Sequence, residues 1–231
     1  MKPCLRRPPL PALLGCLVLC LLASGCEGPR SVQVPLGSQQ LPGLYWEPPE
    51  RMAPALLLLP MQGGHKEDWV PLAQRLRREG YGVLALDWRQ AGRTDREHLL
   101  ADVRAGFDFL RAQKKVDAAR IGLVGADLGA NVALDFAALE PMVPLAVLLS
   151  PGLNYRDVFA EPALRDFGAR PLLLIATEED FLSAQAVRRL AGAASGDPVV
   201  RLYPGQAHGT DLLAVGDPLG DDVLAFLQGR L

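Results

Sequence analysis

Between Ala55 and Leu231 the chain alternates two kinds of apolar pattern. Short continuous runs, "ALLLL", "YGVLALD", "RIGLVG", "VPLAVLLS", "RPLLLIAT" and "PVVRLYP", are bounded by Pro, Gly or charge. They read as strands buried on both faces. Stretches with helical spacing lie between them. Asp68–Arg78 places Trp69, Leu72, Ala73 and Leu76 on one side and stops at Gly80. Glu97–Leu110 does the same with Leu99, Leu100, Val103, Phe107 and Leu110. Helices are also expected over Leu128–Leu139, about Ser183–Ala191, and Asp217–Gln228. Upstream, Ser31–Leu36 and Leu41–Trp46 flank "GSQQ" and predict an antiparallel hairpin that opens the sheet. This rhythm predicts an α/β fold: a mostly parallel sheet with helices on both faces. In such sheets function collects at the carboxyl ends of the strands.

The N-terminal pattern is different. Lys2, Arg6 and Arg7 precede the apolar stretch Leu13–Leu22, which leads to "ASGC" ending at Cys26. That is the layout of an export signal with its cleavage region. The "ASGC" motif resembles a bacterial lipobox, although Ala23 stands where Leu is commonest. The resemblance implies removal of residues 1–25 and lipidation of Cys26. Cys4, Cys16 and Cys20 would leave with the signal, so the exported chain would have no disulfide and no free thiol. Glu27 after the cysteine, by likeness to Gram-negative lipoproteins, favours the outer membrane. The expected organisation is signal 1–25, tether 26–31 and one domain over 32–231, lipid-anchored to the bacterial envelope.

Composition fits a single globular domain: 231 residues, 49% hydrophobic and 22% charged, with a net charge of −2. No basic stripe interleaved with aromatics is present, so nucleic acid is not an expected partner. No His/Cys/Asp/Glu set has metal-ligand spacing and no glycines form a phosphate loop, so neither metal nor cofactor is expected. The expected partners are a membrane, through Cys26, and a small-molecule substrate or ligand. The oligomeric state is not readable from the chain.

Candidate chemistry falls just after the strands. After "IGLVG" comes a turn, Gly125-Ala126-Asp127-Leu128-Gly129, with a helix beginning behind it. With Ser at its centre this would be a nucleophile elbow. After "LLLIAT" come Glu178, Glu179 and Asp180, and after "VVRLYP" comes His208 between Gly205 and Gly209. The order elbow, acid, histidine is that of a hydrolase triad. Amides at a helix start would favour a negative group at the apex. A carboxylate there also has a purely structural use, capping the helix for about 0.5–2 kcal/mol.

The segments "LVGADLGANVAL", "LLSPGLNYR", "ATEEDFLS" and "YPGQAHG" together resemble the α/β-hydrolase family, most closely its small dienelactone hydrolase and esterase members. The resemblance covers about Val32 to Leu231. It implies the α/β-hydrolase fold with little or no cap, since only Pro151–Ala169 lies between the sixth and seventh core strands. It carries Asp127 to the nucleophile position, Asp180 to the acid position and His208 to the base position. Backbone amides of Met61 and Leu128 would form the oxyanion hole. Glu178 and Glu179 compete with Asp180 for the acid.

Asp in place of Ser changes the chemistry. A carboxylate attacking an ester carbonyl would give an anhydride, whereas carboxylates work well at saturated carbon. Haloalkane dehalogenases and epoxide hydrolases of this fold carry such an Asp, but differ from this chain in three ways. They usually have Trp where Leu128 stands, His where Pro60 stands, and a helical cap whose residues hold the leaving group. Here Tyr155 is the one plausible proton donor in the insertion, and nothing in the sequence aims Trp88 at the site. Three readings follow: a hydrolase with Asp127 as nucleophile on a small ester-like or otherwise displaceable substrate; a hydrolase in which Asp127 and His208 activate water; and an inactive relative that binds a ligand or envelope partner. In each, Asp127 beside His208 is expected to raise the imidazole pKa.

Overall fold

A computed structural model of the chain describes residues 28–89, 95–215 and 217–231. The signal segment and Cys26 lie outside the described residues. The domain begins with a hairpin, β1 (Arg30–Leu36) and β2 (Gln39–Trp46), paired from Arg30↔Tyr45 to Leu36↔Gln39. The first strand thus begins at Arg30, one residue before the expected Ser31.

The parallel strands β3 (Ala53–Leu59), β4 (Gly82–Leu86), β5 (Val116–Ala126) and β6 (Ala146–Leu149) follow. Two residue pairs, β7 (Asn154–Tyr155) and β8 (Val158–Phe159), form a separate small hairpin, and β9 (Leu172–Thr177) and β10 (Val199–Tyr203) complete the main sheet. Its order is β1-β2-β4-β3-β5-β6-β9-β10, with β2 antiparallel to β4.

Helices are α1 (Val70–Arg78), α2 (Arg96–Arg111), α3 (Leu128–Leu139), α4 (Ala160–Phe167), α5 (Phe181–Ala193) and α6 (Asp217–Leu227). A 3-10 turn, Lys66–Trp69, leads into α1, so the helix expected from Asp68 starts two residues later, with Pro71 in its first turn.

The continuous apolar runs are explained by burial on both faces. Leu57 and Leu59 of β3 pack with α2, α3, α4 and α5, while Leu56 and Leu58 pack with α1 and α6. The period-2 alternation of a strand survives, but both sets of side chains are in core. Helix α3 is buried along most of its length, which its apolar sequence requires. Arg170 closes its carboxyl end by donating to the carbonyls of Ala137, Glu140 and Val143.

Pro151–Ala169 has secondary structure of its own. It contains the β7–β8 hairpin and α4, and Asn131 pins it to α3. The Asn131 Oδ1 accepts from the Gly152 amide at 3.1 Å, and its Nδ2 donates to the Val158 carbonyl at 2.9 Å.

Candidate active site

The elbow is built by steric exclusion. Asp127 sits at φ 53°, ψ −118°, a region that side chains other than glycine enter only under strain of about 1–3 kcal/mol. Its amide donates to the Leu149 carbonyl at 2.9 Å, and its own carbonyl accepts from the Ala130 and Asn131 amides of α3. A Cβ at Gly129 would lie 2.5 Å from the carbonyl oxygens of Leu59 and Pro60, and one at Gly125 would overlap the Gly129 carbonyl. Both glycines are therefore dictated by backbone-to-backbone contact.

The Asp127 side chain does not cap α3 in the usual way, since it accepts from neither the second nor the third helical amide. It divides its oxygens instead. Oδ2 accepts from the Gln62 amide at 2.9 Å, and the Leu128 amide also bonds the carboxylate. Oδ1 lies 3.2 Å from His208 Nε2. Burial pushes the Asp127 carboxyl toward neutrality, but the bonds from His208, Leu128 and Gln62 outweigh it and hold it below the usual carboxylate range.

The turn after β3 needs one correction. The amide that reaches the apex is that of Gln62, not of Met61. The Met61 carbonyl accepts from the Gly64 amide at 3.0 Å, and that tight turn aims the next peptide at Asp127.

Among the three acids after β9, Asp180 meets the histidine: its Oδ2 lies 2.7 Å from His208 Nδ1. Glu178 and Glu179 face solvent, and their amides tie the turn to the Tyr203 and Gly205 carbonyls. His208 is thus held between two carboxylates. The bond to Asp127 is the largest influence, with burial opposing and Asp180 adding, and its pKa is raised to about 9. At neutral pH the imidazole is a cation.

Three residues outside the sequence expectation fix this arrangement. Ser150 is fully buried, and its Oγ accepts from the Gly209 amide at 3.0 Å, locking the histidine loop. Thr177 Oγ1 donates to the Ala207 carbonyl at 2.8 Å. Ser183, buried at the start of α5, lies 3.5 Å from His208 Nδ1. Ser150 and Thr177 were detectable only as polar residues closing apolar strands.

Tyr155, carried by β7, brings its hydroxyl close enough to Asp127 and Ser183 to feel both electrostatically. Burial, followed by the Asp127 charge, raises its pKa, so it is a neutral phenol at physiological pH. Trp88 is committed elsewhere: its Nε1 donates to the Pro60 carbonyl at 3.1 Å. A cavity of about 240 Å³ adjoins the elbow, lined by Gln62, His65, Trp88, Leu99, Leu128 and Arg156. Arg156 Nε donates to Gln62 Oε1 at 2.9 Å, joining the β7–β8 hairpin to the amide-bearing turn. Trp46 and Trp69 are core residues, and His98 pairs with Asp95 on the surface. Among the described residues no group of three or more His, Cys, Asp or Glu is placed to hold a metal ion.

A strained elbow after the fifth strand, an imidazole between it and an acid after β9, and two backbone amides at the apex form one constellation. Residues 56–227 match the model of the "Alpha/beta hydrolase family". The chain belongs to the alpha/beta hydrolase family. Uncharacterized proteins from two strains of Mycobacterium tuberculosis are 31% identical to it over 196 residues, covering 75% of this chain and 69% of theirs. The fold is similar to that of DcsB, solved with its substrate analogue, at a TM-score of 0.77 and 13% identity over 88% of this chain and 100% of that one. It is also similar to a dienelactone hydrolase from Anabaena variabilis, at 0.70 and 20% identity over 87% and 100%. A Pyrococcus furiosus esterase gives 0.72 and 18% identity over 87% and 91%.

Proposed function

We propose that this alpha/beta hydrolase family member hydrolyses a small, largely apolar substrate at a saturated carbon bearing an oxygen leaving group, as in an epoxide, with Asp127 as the nucleophile. The observation that carries the reading is the division of labour within one carboxylate. Oδ2 accepts from the Gln62 amide, while Oδ1 is directed toward His208, and Gln62 and Leu128 on either side of the apex line the cavity. Attack by Oδ1 forms a carbon–oxygen bond as the substrate's own carbon–oxygen bond breaks. The departing alkoxide takes the Tyr155 proton. Oδ2 becomes an ester carbonyl already seated on the Gln62 amide.

The raised His208 pKa serves this sequence. In the free protein an imidazolium is harmless, because the first step requires only the Asp127 anion. Esterification then removes the charge that most raises the His208 pKa. The imidazolium returns a proton to the Tyr155 phenolate and becomes a neutral base oriented by Asp180. It now deprotonates the water that attacks the ester carbonyl. Expulsion of the alcohol, which takes the remaining carboxyl proton, regenerates the Asp127 anion and the imidazolium. An oxygen leaving group is favoured over a halide because Tyr155 offers a proton, whereas the Trp88 indole is already bonded to Pro60.

An inactive, ligand-binding relative is the second reading. It is favoured by the fact that Asp127 itself occupies both apex amides. The test compares wild type, Asp127→Asn and Asp127→Ser on short epoxides, haloalkanes and p-nitrophenyl esters. Epoxide turnover by wild type that Asp127→Asn abolishes supports the nucleophile. Silence from wild type, with esterase activity appearing in Asp127→Ser, supports the inactive relative.

We further propose that Cys26 is lipidated and holds the domain on the bacterial envelope. The basis is the Lys/Arg-led apolar stretch that ends at Cys26. Fatty-acid labelling that persists in Cys26→Ser would refute it.

A further inference from the structure

The two ends of the sheet present different surfaces. Strand β1 runs parallel to the core strands, because it is antiparallel to β2 and β2 is antiparallel to β4. Its first residue, Arg30, therefore lies at the amino end of the sheet, opposite Asp127. Two adjoining hollows of about 430 and 470 Å³ open at that end and share Gly28, Pro49 and Arg77. Arg30, Arg77, Arg78 and Lys115 stand around them. Lys115 is met by Glu47 at 3.4 Å, and Arg30 lies over the Tyr45 ring. Arg77 and Arg78, in the last turn of α1, form no ion pair with any carboxylate among the described residues. Met52, on the turn between β2 and β3 at the same end, is 62% exposed. In a chain with a net charge of −2, this end collects basic groups and an exposed apolar side chain.

The chain leaves the domain at this end. Cys26 precedes Arg30 by four residues, a reach of at most about 14 Å when fully extended. The core strands separate this end from Asp127 by roughly 20 Å, at about 3.3 Å per residue.

We propose that the amino-end face rests on an anionic lipid bilayer, with Arg30, Arg77, Arg78 and Lys115 among the headgroups and Met52 at the interface. The Asp127 site then faces away from the membrane and draws its substrate from the aqueous side. The proposal rests on the reading of Cys26 as the anchor. Charge complementarity supplies the attraction, which salt weakens because the Debye length is only about 10 Å at 0.1 M. The competing orientation places the carboxyl end down, on exposed Phe181 and Leu182, the latter 80% exposed. The short tether opposes it, since it leaves from the other end of the strands.

The test uses the full chain, produced in bacteria and reconstituted into vesicles of phosphatidylcholine and phosphatidylglycerol that contain a lipid-borne quencher. Met52→Cys and Leu182→Cys are labelled with a fluorophore in separate preparations. Quenching several-fold stronger at position 52 than at 182 is expected. It should fall toward the level of position 182 in Arg77→Glu/Arg78→Glu, and in vesicles of phosphatidylcholine alone, while the protein stays with the vesicles and keeps its melting temperature. Equal or stronger quenching at position 182, or none at 52 in vesicle-retained protein, overturns the orientation. Membrane fractionation of Cys26→Ser tests the anchor separately. Release of that variant alone supports it. Equal retention of both chains, with no lipid mass on residue 26, overturns the anchor and the orientation with it.

Discussion

The elbow and the Pro151–Ala169 insertion both stand at the carboxyl end of the sheet, but they are held by different means. The elbow is fixed by main chain against main chain: Gly125 and Gly129 allow approaches that any Cβ would block, and the Asp127 amide is tied to Leu149. The insertion is held by side chains: Asn131 reaches Gly152 and Val158, and Arg156 reaches Gln62. Backbone packing leaves Asp127 little freedom to drift. Side-chain pinning lets the opposite wall of the cavity change by substitution without disturbing the elbow.

The largest effect expected from this contrast is in the elbow. Gly129→Ala places a methyl group 2.5 Å from two carbonyl oxygens, and the loss of stability should be about 3 kcal/mol or more. Urea unfolding measures it; a change below about 1 kcal/mol would mean that the elbow can relax. Next is Asn131→Ala, which leaves a buried carbonyl and a half-buried amide without their partner and should cost about 2 kcal/mol. Hydrogen exchange should then rise over residues 152–167 while the elbow amides stay protected; equal loss of protection in both would remove the distinction between them.

A smaller effect concerns His208. Its folded-state pKa of about 9 lies above its ordinary value, so the stabilisation is fully present below about pH 6.5 and is lost as pH rises through 9. The side chain is 39% exposed, so screening limits the effect to the order of 1 kcal/mol. Imidazole NMR titration should place the pKa near 9 in the wild type and lower in Asp127→Asn. An unchanged midpoint in the variant would mean that Asp127 is not its main source. The smallest effect is expected from Ser150→Ala. It removes one hydroxyl acceptor from the Gly209 amide, for about 1 kcal/mol, and should loosen the histidine loop without moving Asp127. The check is exchange at the Gly209 amide.

The sheet and its helices were legible because strands buried on both faces must be apolar throughout, and Pro and Gly mark their ends. The order of Asp127, Asp180 and His208 was legible because each follows such a strand. What escaped is orientation. Whether Met61 or Gln62 presents its amide depends on how one tight turn rotates a peptide, and residue types do not encode that. The β7–β8 hairpin escaped because its turn residues, Arg156 and Asp157, both adopt positive φ, 49° and 64°, without the glycine that usually signals such a turn. Asn131 left a trace, as a polar residue on an otherwise apolar helix. Its partners could not be read, because they are backbone groups more than twenty positions away.

Everything proposed for the site turns on whether Asp127 attacks carbon. The most direct measurement is a single turnover of a short terminal epoxide in oxygen-18 water, with enzyme in excess, followed by mass analysis of the Asp127-bearing peptide and of the product. With Asp127 as nucleophile the heavy oxygen enters Asp127 and the diol carries light oxygen from the carboxylate. Heavy oxygen in the diol with an unlabelled Asp127 would contradict that role, and would make Asp127 and His208 activators of water instead.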